Sequence, residues 1–206
     1  MTKTGPIDFY FDFISPFGYF ASLRIDALGA KHGREVVWRP MLLGVAVLKV
    51  MGLKPLLETP LKGEYLTKYA VPRYARLHKV PIDPRRFDEI GMAPVPPARA
   101  YWYLFAREPA LAKRFAKDVL HGYWAERREM AQPDALAEIA ARHGVGRDEM
   151  IAGLHSKETA ERMRAEIDAS IARGVFGSPF IIVDDEKFWG ADNLEMLDLW
   201  LERGGW

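Results

Sequence analysis

The chain has 206 residues, of which 49% are apolar and 28% charged, the profile of a folded globular protein long enough to bury a sizeable core. Its 29 basic and 28 acidic residues leave a net charge of +1, which gives no footing to nucleic-acid or membrane-surface binding, and the lack of cysteine excludes disulfides, thiolate metal sites and a redox pair made by the protein itself. No apolar run reaches the roughly 18 residues of a membrane span, and the opening MTKTGP lacks the apolar core of a signal peptide, so the expected location is the cytoplasm.

IDFYFDF (7–13) alternates, with Ile7, Phe9, Phe11 and Phe13 on one side and Asp8, Tyr10 and Asp12 on the other, as in a half-buried strand. Ser15 then suits an N-cap and Pro16 the first helical position. That helix carries Phe20, Leu23 and Ala27 on one face and stops at Gly33. EVVWRP (35–40) reads as a second strand. From about Met41 to Ser170 the pattern is mostly helical. Glu64 to Leu77 is interrupted only by Pro72, and Pro97 starts a helix with Tyr101, Trp102 and Phe105. A third helix, Pro109 to about Arg128, sets Leu111, Phe115 and Val119 at four-residue spacing. Pro133 to His143 is a fourth, closed by Gly144, and Ser156 caps a fifth with Met163, Ile167 and Ile171 in a stripe ending at Gly174. FIIV (180–183) is a short buried strand, Asp184-Asp185 a tight turn and EKFW (186–189) the hairpin partner. Asp192-Asn193-Leu194-Glu195 reads as a capping box that opens a last helix with Leu194, Leu197 and Leu201 on one face.

The order β-α-β, helices, β-β-α predicts an α/β protein with a thioredoxin-like fold and a helical domain inserted between its two halves. Residues 1–45 and 171–206 make the expected thioredoxin-like domain, and 46–170 the insertion. The five histidines show no metal-ligand spacing, so no metal is expected, and there is no P-loop, G-x-G-x-x-G or G-x-S-x-G. Two stretches remain. Ser15-Pro16-Phe17-Gly18 alone is a helix start, and Gly177-Ser178-Pro179 alone is a turn. A proline directly before a buried strand is also a place for a cis bond. In a thioredoxin fold these two joints lie side by side, forming a groove in which a peptide-like thiol compound pairs with backbone groups. Ser178-Pro179 is therefore expected to be cis and to lie opposite Ser15.

FYFDFISPFGYFA, followed far downstream by GVFGSPFIIVDDEKFWGADNLEML, resembles the 2-hydroxychromene-2-carboxylate isomerase family. That family is related to kappa-class glutathione transferases and, more distantly, to the periplasmic disulfide oxidants. The resemblance spans the chain and is sharpest at its two ends. It implies glutathione as cofactor. The family's key serine falls on Ser15, where the disulfide oxidants carry the first cysteine of C-x-x-C, so the working thiol belongs to bound glutathione. A hydroxyl at a helix N-terminus donates to a thiolate, and the helix dipole favours the anion.

The resemblance further implies that Ser178, before the cis Pro179, pairs with the glutathione backbone. Asp192, followed by Asn193, holds the γ-glutamyl amine. Within GLKPLLETPLKGEYL, Lys62 takes the glycyl carboxylate, while Leu53 stands where kappa transferases carry asparagine. Phe13, Phe17 and Trp189 make an aromatic wall suited to a flat aromatic acid. The implied activity is a glutathione-dependent cis-trans isomerisation of 2-hydroxychromene-2-carboxylate or a similar small aromatic acid, by reversible thiol addition, in aromatic compound catabolism. Neither nucleic acid nor membrane is an expected partner; the relatives suggest a homodimer. A kappa-like transferase and a non-catalytic glutathione-binding protein stay open as alternatives. Without cysteine, a disulfide oxidoreductase does not.

Overall fold

A computed structural model describes residues 5–88 and 91–206; the first four residues of the expected thioredoxin-like unit lie outside them. Strands β1 (Ile7–Phe11) and β2 (Val36–Pro40) run parallel, joined through helices α1 (Pro16–Ser22) and α2 (Ile25–Lys31). Ser15 caps α1 as expected, its Oγ accepting from Gly18 N at 3.0 Å, with Pro16 in the first turn, where a missing N–H costs nothing. The single helix expected up to Gly33 is instead split at Leu23 and Arg24. The break goes with Arg24 reaching Tyr74 Oη and Glu195 Oε1, at 3.1 and 2.7 Å. Strands β3 (Phe180–Val183) and β4 (Glu186–Trp189) add antiparallel beside β1, giving the order β2-β1-β3-β4, and α10 (Leu194–Arg203) closes the chain. Asp184 and Asp185 take φ of 49° and 72°, the left-handed pair that matches hairpin twist. This is the thioredoxin-like arrangement the element order predicts.

Between β2 and β3 the chain is helical and irregular. Pro72 does not end a helix: α3 (Pro60–Tyr65) passes through a π-helical turn (Leu66–Ala70) into α4 (Val71–His78), and the wider winding accommodates the missing proline N–H. Then follow α5 (Val95–Arg107), α6 (Pro109–Trp124), α7 (Pro133–Arg142), α8 (Arg147–His155) and α9 (Lys157–Ala172). The sequence reading missed α8, which buries only Met150, Gly153 and Leu154, and a π-helical stretch at Gly44–Val50. Ser156 caps α9, accepting from Thr159 N at 3.1 Å.

Two further expectations are corrected. β1 is buried on both faces, not one. Its polar side is covered by residues such as Met41, Ala46 and Val175 and by Arg173: Asp8 accepts from Arg39 at 2.7 Å and from Arg173 at 2.5 Å, so a paired carboxylate replaces a solvated one. The capping box does not form. Glu195 is drawn to Arg24, Asn193 donates its Nδ2 to Trp189 O at 2.7 Å, and no side chain caps α10.

One hydrophobic core runs from Phe9 and Phe11 of β1 through Tyr101 and Phe115 of the helical part to Leu194 and Leu197 of α10. Polar ties reinforce it: Tyr101 Oη donates to Trp38 O at 2.7 Å and Trp124 Nε1 to Phe13 O at 3.0 Å. A smaller cluster around Tyr10, Met41 and Phe180 fills the other side of the sheet.

Candidate functional site

The chain leaves β1 at Phe11 and turns through Asp12–Ile14 into the cap of α1; 163 positions downstream of Ser15, Ser178 leads the return into β3. Ser178-Pro179 is cis, as expected. Ser15 lies opposite it: its Oγ donates to Ser178 O at 2.9 Å and accepts from Gly18 N. Ser178 Oγ in turn accepts from Asp12 N at 2.8 Å. The two segments approach this closely because position 18 is glycine, where a Cβ would fall 2.7 Å from Ser178 Oγ. Ser15 is 4% exposed, and its proton is spent on a peptide carbonyl, which is no base. Its hydroxyl thus has no base among its hydrogen-bond partners.

Sequence reasoning missed Asp12, which alternation alone placed on a solvated face. Its carboxyl is fully buried; Oδ2 accepts from Leu43 N at 2.6 Å and Oδ1 from Ile14 N at 3.2 Å. Burial pushes its pKa up to about 7, against the pull of the backbone N–H groups of Leu43, Ile14 and Phe13. Its main chain holds the serine pair as well, since Ser15 N donates to Asp12 O at 3.0 Å.

The remaining candidates divide. Phe13 is 1% exposed and stands edge-on to Phe11, so it belongs to the core and leaves the expected aromatic wall. Phe17 is half-buried and lines an apolar cavity of about 380 Å³ with Leu56, Leu61, Lys62, Tyr65 and Leu66. Phe17 and Lys62 are therefore brought together. Leu53 is exposed and does not line this cavity. Trp189 is 56% exposed and lies over Gly177, where a Cβ would fall 2.3 Å from its Nε1, beside Phe176 at 4.9 Å between ring centroids. It flanks the Ser178-Pro179 loop without lining the Phe17 cavity. Asp192 is exposed, its Oδ1 folded back over Gly190, which takes φ 105° and has no room for a Cβ. Asn193 is committed to Trp189 O. Tyr74, also unforeseen, joins these groups: its ring meets Phe17 at 6.0 Å and its Oη donates to Ala191 O at 3.3 Å. The signal for Tyr74 lay in no motif; its partners come from both ends of the chain.

As a donor set, a hydroxyl and a peptide carbonyl sit at the centre, a cation and an apolar slot lie to one side of α1, and a carboxylate lies beyond Tyr74. That set fits a zwitterionic peptide-like thiol compound. Among the described residues no three histidines or carboxylates converge as a metal site requires, and no helix is long and apolar enough to cross a membrane.

Comparison with known proteins agrees with the fold. A model of the DSBA-like thioredoxin domain matches residues 6–202. The 2-hydroxychromene-2-carboxylate isomerase of Sphingobium xenophagum is 29% identical, over 98% of this chain and 99% of its own. Glutathione s-transferase kappa 2 of Caenorhabditis elegans is 22% identical, over 91% of this chain and 88% of its own. A solved structure of a 2-hydroxychromene-2-carboxylate isomerase superposes with a TM-score of 0.80 at 26% identity, covering 96% of this chain and 94% of that one.

Proposed function

We propose, from the premise that the chain belongs to the DSBA-like thioredoxin domain family, that it is a glutathione-dependent cis-trans isomerase of 2-hydroxychromene-2-carboxylate or a similar aromatic acid. The observation that carries this reading is the hydroxyl-to-carbonyl pair of Ser15 and Ser178 in a chain with no thiol of its own. When bound, glutathione supplies a thiol that adds reversibly to a conjugated double bond, so that the bond can rotate and be restored with the thiol released.

The protein's part is to bind, orient and donate. Ser178 O accepts the hydrogen bond of the Ser15 hydroxyl. A peptide N–H arriving in strand fashion at the same carbonyl takes over that acceptor. The Ser15 hydroxyl, still held through its lone pair by Gly18 N, then turns its proton outward to a sulfur anion. Such a donor stabilises the thiolate and raises its fraction at neutral pH, since a free thiol titrates near 8.5. Asp192 takes the ammonium of the ligand and Lys62 a carboxylate, with Asn193 and Pro179 shaping the backbone between them. Phe17 and its apolar cavity take the flat ring of the acid, and Trp189 closes the far side of the loop. Ser15 remains chemically unchanged throughout.

The test is isomerisation of 2-hydroxychromene-2-carboxylate with and without glutathione, following isomer ratio and free thiol together. Glutathione-dependent equilibration at constant thiol is expected. The match to kappa-class transferases favours one second reading, in which the adduct leaves as product and free thiol falls in step with turnover. Binding without acceleration of either reaction would make this a non-catalytic glutathione-binding protein and overturn both.

A further inference from the structure

Asp12 is a fully buried carboxyl without an ion-pair partner among the described residues, and the proposed chemistry leaves it unused. It lies where three segments meet: the end of β1, the cap of α1 and the loop after β2. Both carboxyl oxygens accept backbone N–H groups, Leu43 at 2.6 Å and Ile14 at 3.2 Å. Its own N–H holds Ser178 Oγ, and its own C=O holds Ser15 N–H. One residue therefore touches both members of the serine pair through its main chain and a third segment through its side chain. The geometry points to Asp12 as a positioning residue, whose carboxylate ties Leu43 and Ile14 in place and so keeps Ser15 and Ser178 in register with each other. This rests on reading that pair as the site.

The two charge states bond differently. An ionised carboxylate gives each N–H group a charged acceptor, whereas protonation removes the charge and turns one lone-pair site into a donor, which weakens both contacts. Among the described residues no ion pair involves Asp12. Asp8 and Tyr10 on β1 turn to Arg173, with Arg39 of β2 also on Asp8, and Tyr19 on α1 turns to Pro81 O and His121. The 41–43 and 175–179 stretches bring no charged side chain. The carboxyl is thus free to titrate by itself, and burial moves that titration to near neutrality.

The experiment is a pH titration of the full chain by amide NMR, run with binding of S-methylglutathione, which has no thiol to ionise. From about pH 8 to pH 5.5, the Leu43, Ile14, Ser15 and Ser178 amide signals should move with one shared midpoint. Affinity for S-methylglutathione should fall roughly tenfold over the same range, about the worth of one hydrogen bond. Asp12→Asn should lose the shared midpoint and show the weaker affinity at every pH while retaining its melting cooperativity. Should that variant not fold, the wild-type titration alone decides. Shared movement of the four amides without S-methylglutathione binding at any pH would uphold Asp12 and sink the glutathione reading. Leu43 and Ile14 moving while Ser15 and Ser178 stand still would overturn the positioning role, as would pH-independent affinity for a bound S-methylglutathione.

Discussion

Asp12 also makes a prediction about stability that needs no ligand. Its pKa rises from 3.8 to about 7 on folding, chiefly because burial penalises the charged form. A carboxyl whose folded-state value lies above its unfolded value binds its proton more tightly in the folded state. Its stabilising contribution is complete below the unfolded value and is lost as pH rises through the folded one. The full swing is about three pKa units at about 1.4 kcal/mol each, or about 4 kcal/mol, and no solvent screening reduces it because the group is fully buried. Between about pH 5 and pH 8 the share lost is about 3 kcal/mol. Asp26, held low by Lys117 and Lys113 against the cost of burial, and Asp198, held low by Lys31 and His32, lose their stabilisation only as pH falls below the ordinary carboxylate value of 3.8, outside this window. The informative quantity is the difference between wild type and Asp12→Asn in urea unfolding at the two pH values. Wild type should lose about 3 kcal/mol more than the variant on going to pH 8. Parallel behaviour of the two proteins, within about 0.5 kcal/mol, would refute the buried-carboxyl argument at its root.

Ser15→Ala removes a cap and a donor together, so it should lower stability by about 1 kcal/mol and slow glutathione-dependent turnover at neutral pH, with partial recovery in base as the unaided thiol ionises. Stopped pH-rate profiles check this, and complete loss at every pH would instead mark Ser15 as a covalent nucleophile. Asp192→Ala should weaken glutathione binding by about 1.5–3 kcal/mol in calorimetric titration. Because Asp192 caps no helix here, its melting temperature should hold, and a drop of several degrees would contradict the geometry. Gly18→Ala should disturb the serine pair, since the new Cβ falls 2.7 Å from Ser178 Oγ, which Asp12 N holds in turn. A cost of about 1–3 kcal/mol in chemical unfolding and weaker glutathione binding are expected, and an unaffected variant would show that the two segments are looser than their spacing implies.

Local chemistry made much of this molecule legible. Ser15-Pro16 announces a helix start, Asp184-Asp185 a hairpin turn and Gly177-Ser178-Pro179 a special loop, because each acts on neighbours in sequence. What stayed illegible was decided by distant partners. Alternation made Asp12 look solvated, yet Leu43 and the 41–43 loop return to cover it. The 192–195 pattern looked like a capping box, yet Arg24, 171 positions away, claims Glu195. Phe13 looked like a wall residue, but the Trp124 indole bonds its carbonyl and helps seal its ring inside. Helix α8 went unread because its Gly153 lowers helix propensity for a tertiary reason: the Tyr103 ring lies where a Cβ would be, 2.4 Å away.

The separation of 163 positions between Ser15 and Ser178 bears on how the protein comes into being. Contacts within and between the intervening helices are short-range and form early, whereas joining β1 to β3 waits until the chain between them has been shortened by its own folding. The serine pair is thus expected to form after those local contacts. A nascent or truncated chain that lacks its final segment has no Ser178, no β3 and no site, however well its helices have formed. Any ligand that needs both serines for binding would therefore report completed folding of the whole chain, and unfinished copies would not bind it at all.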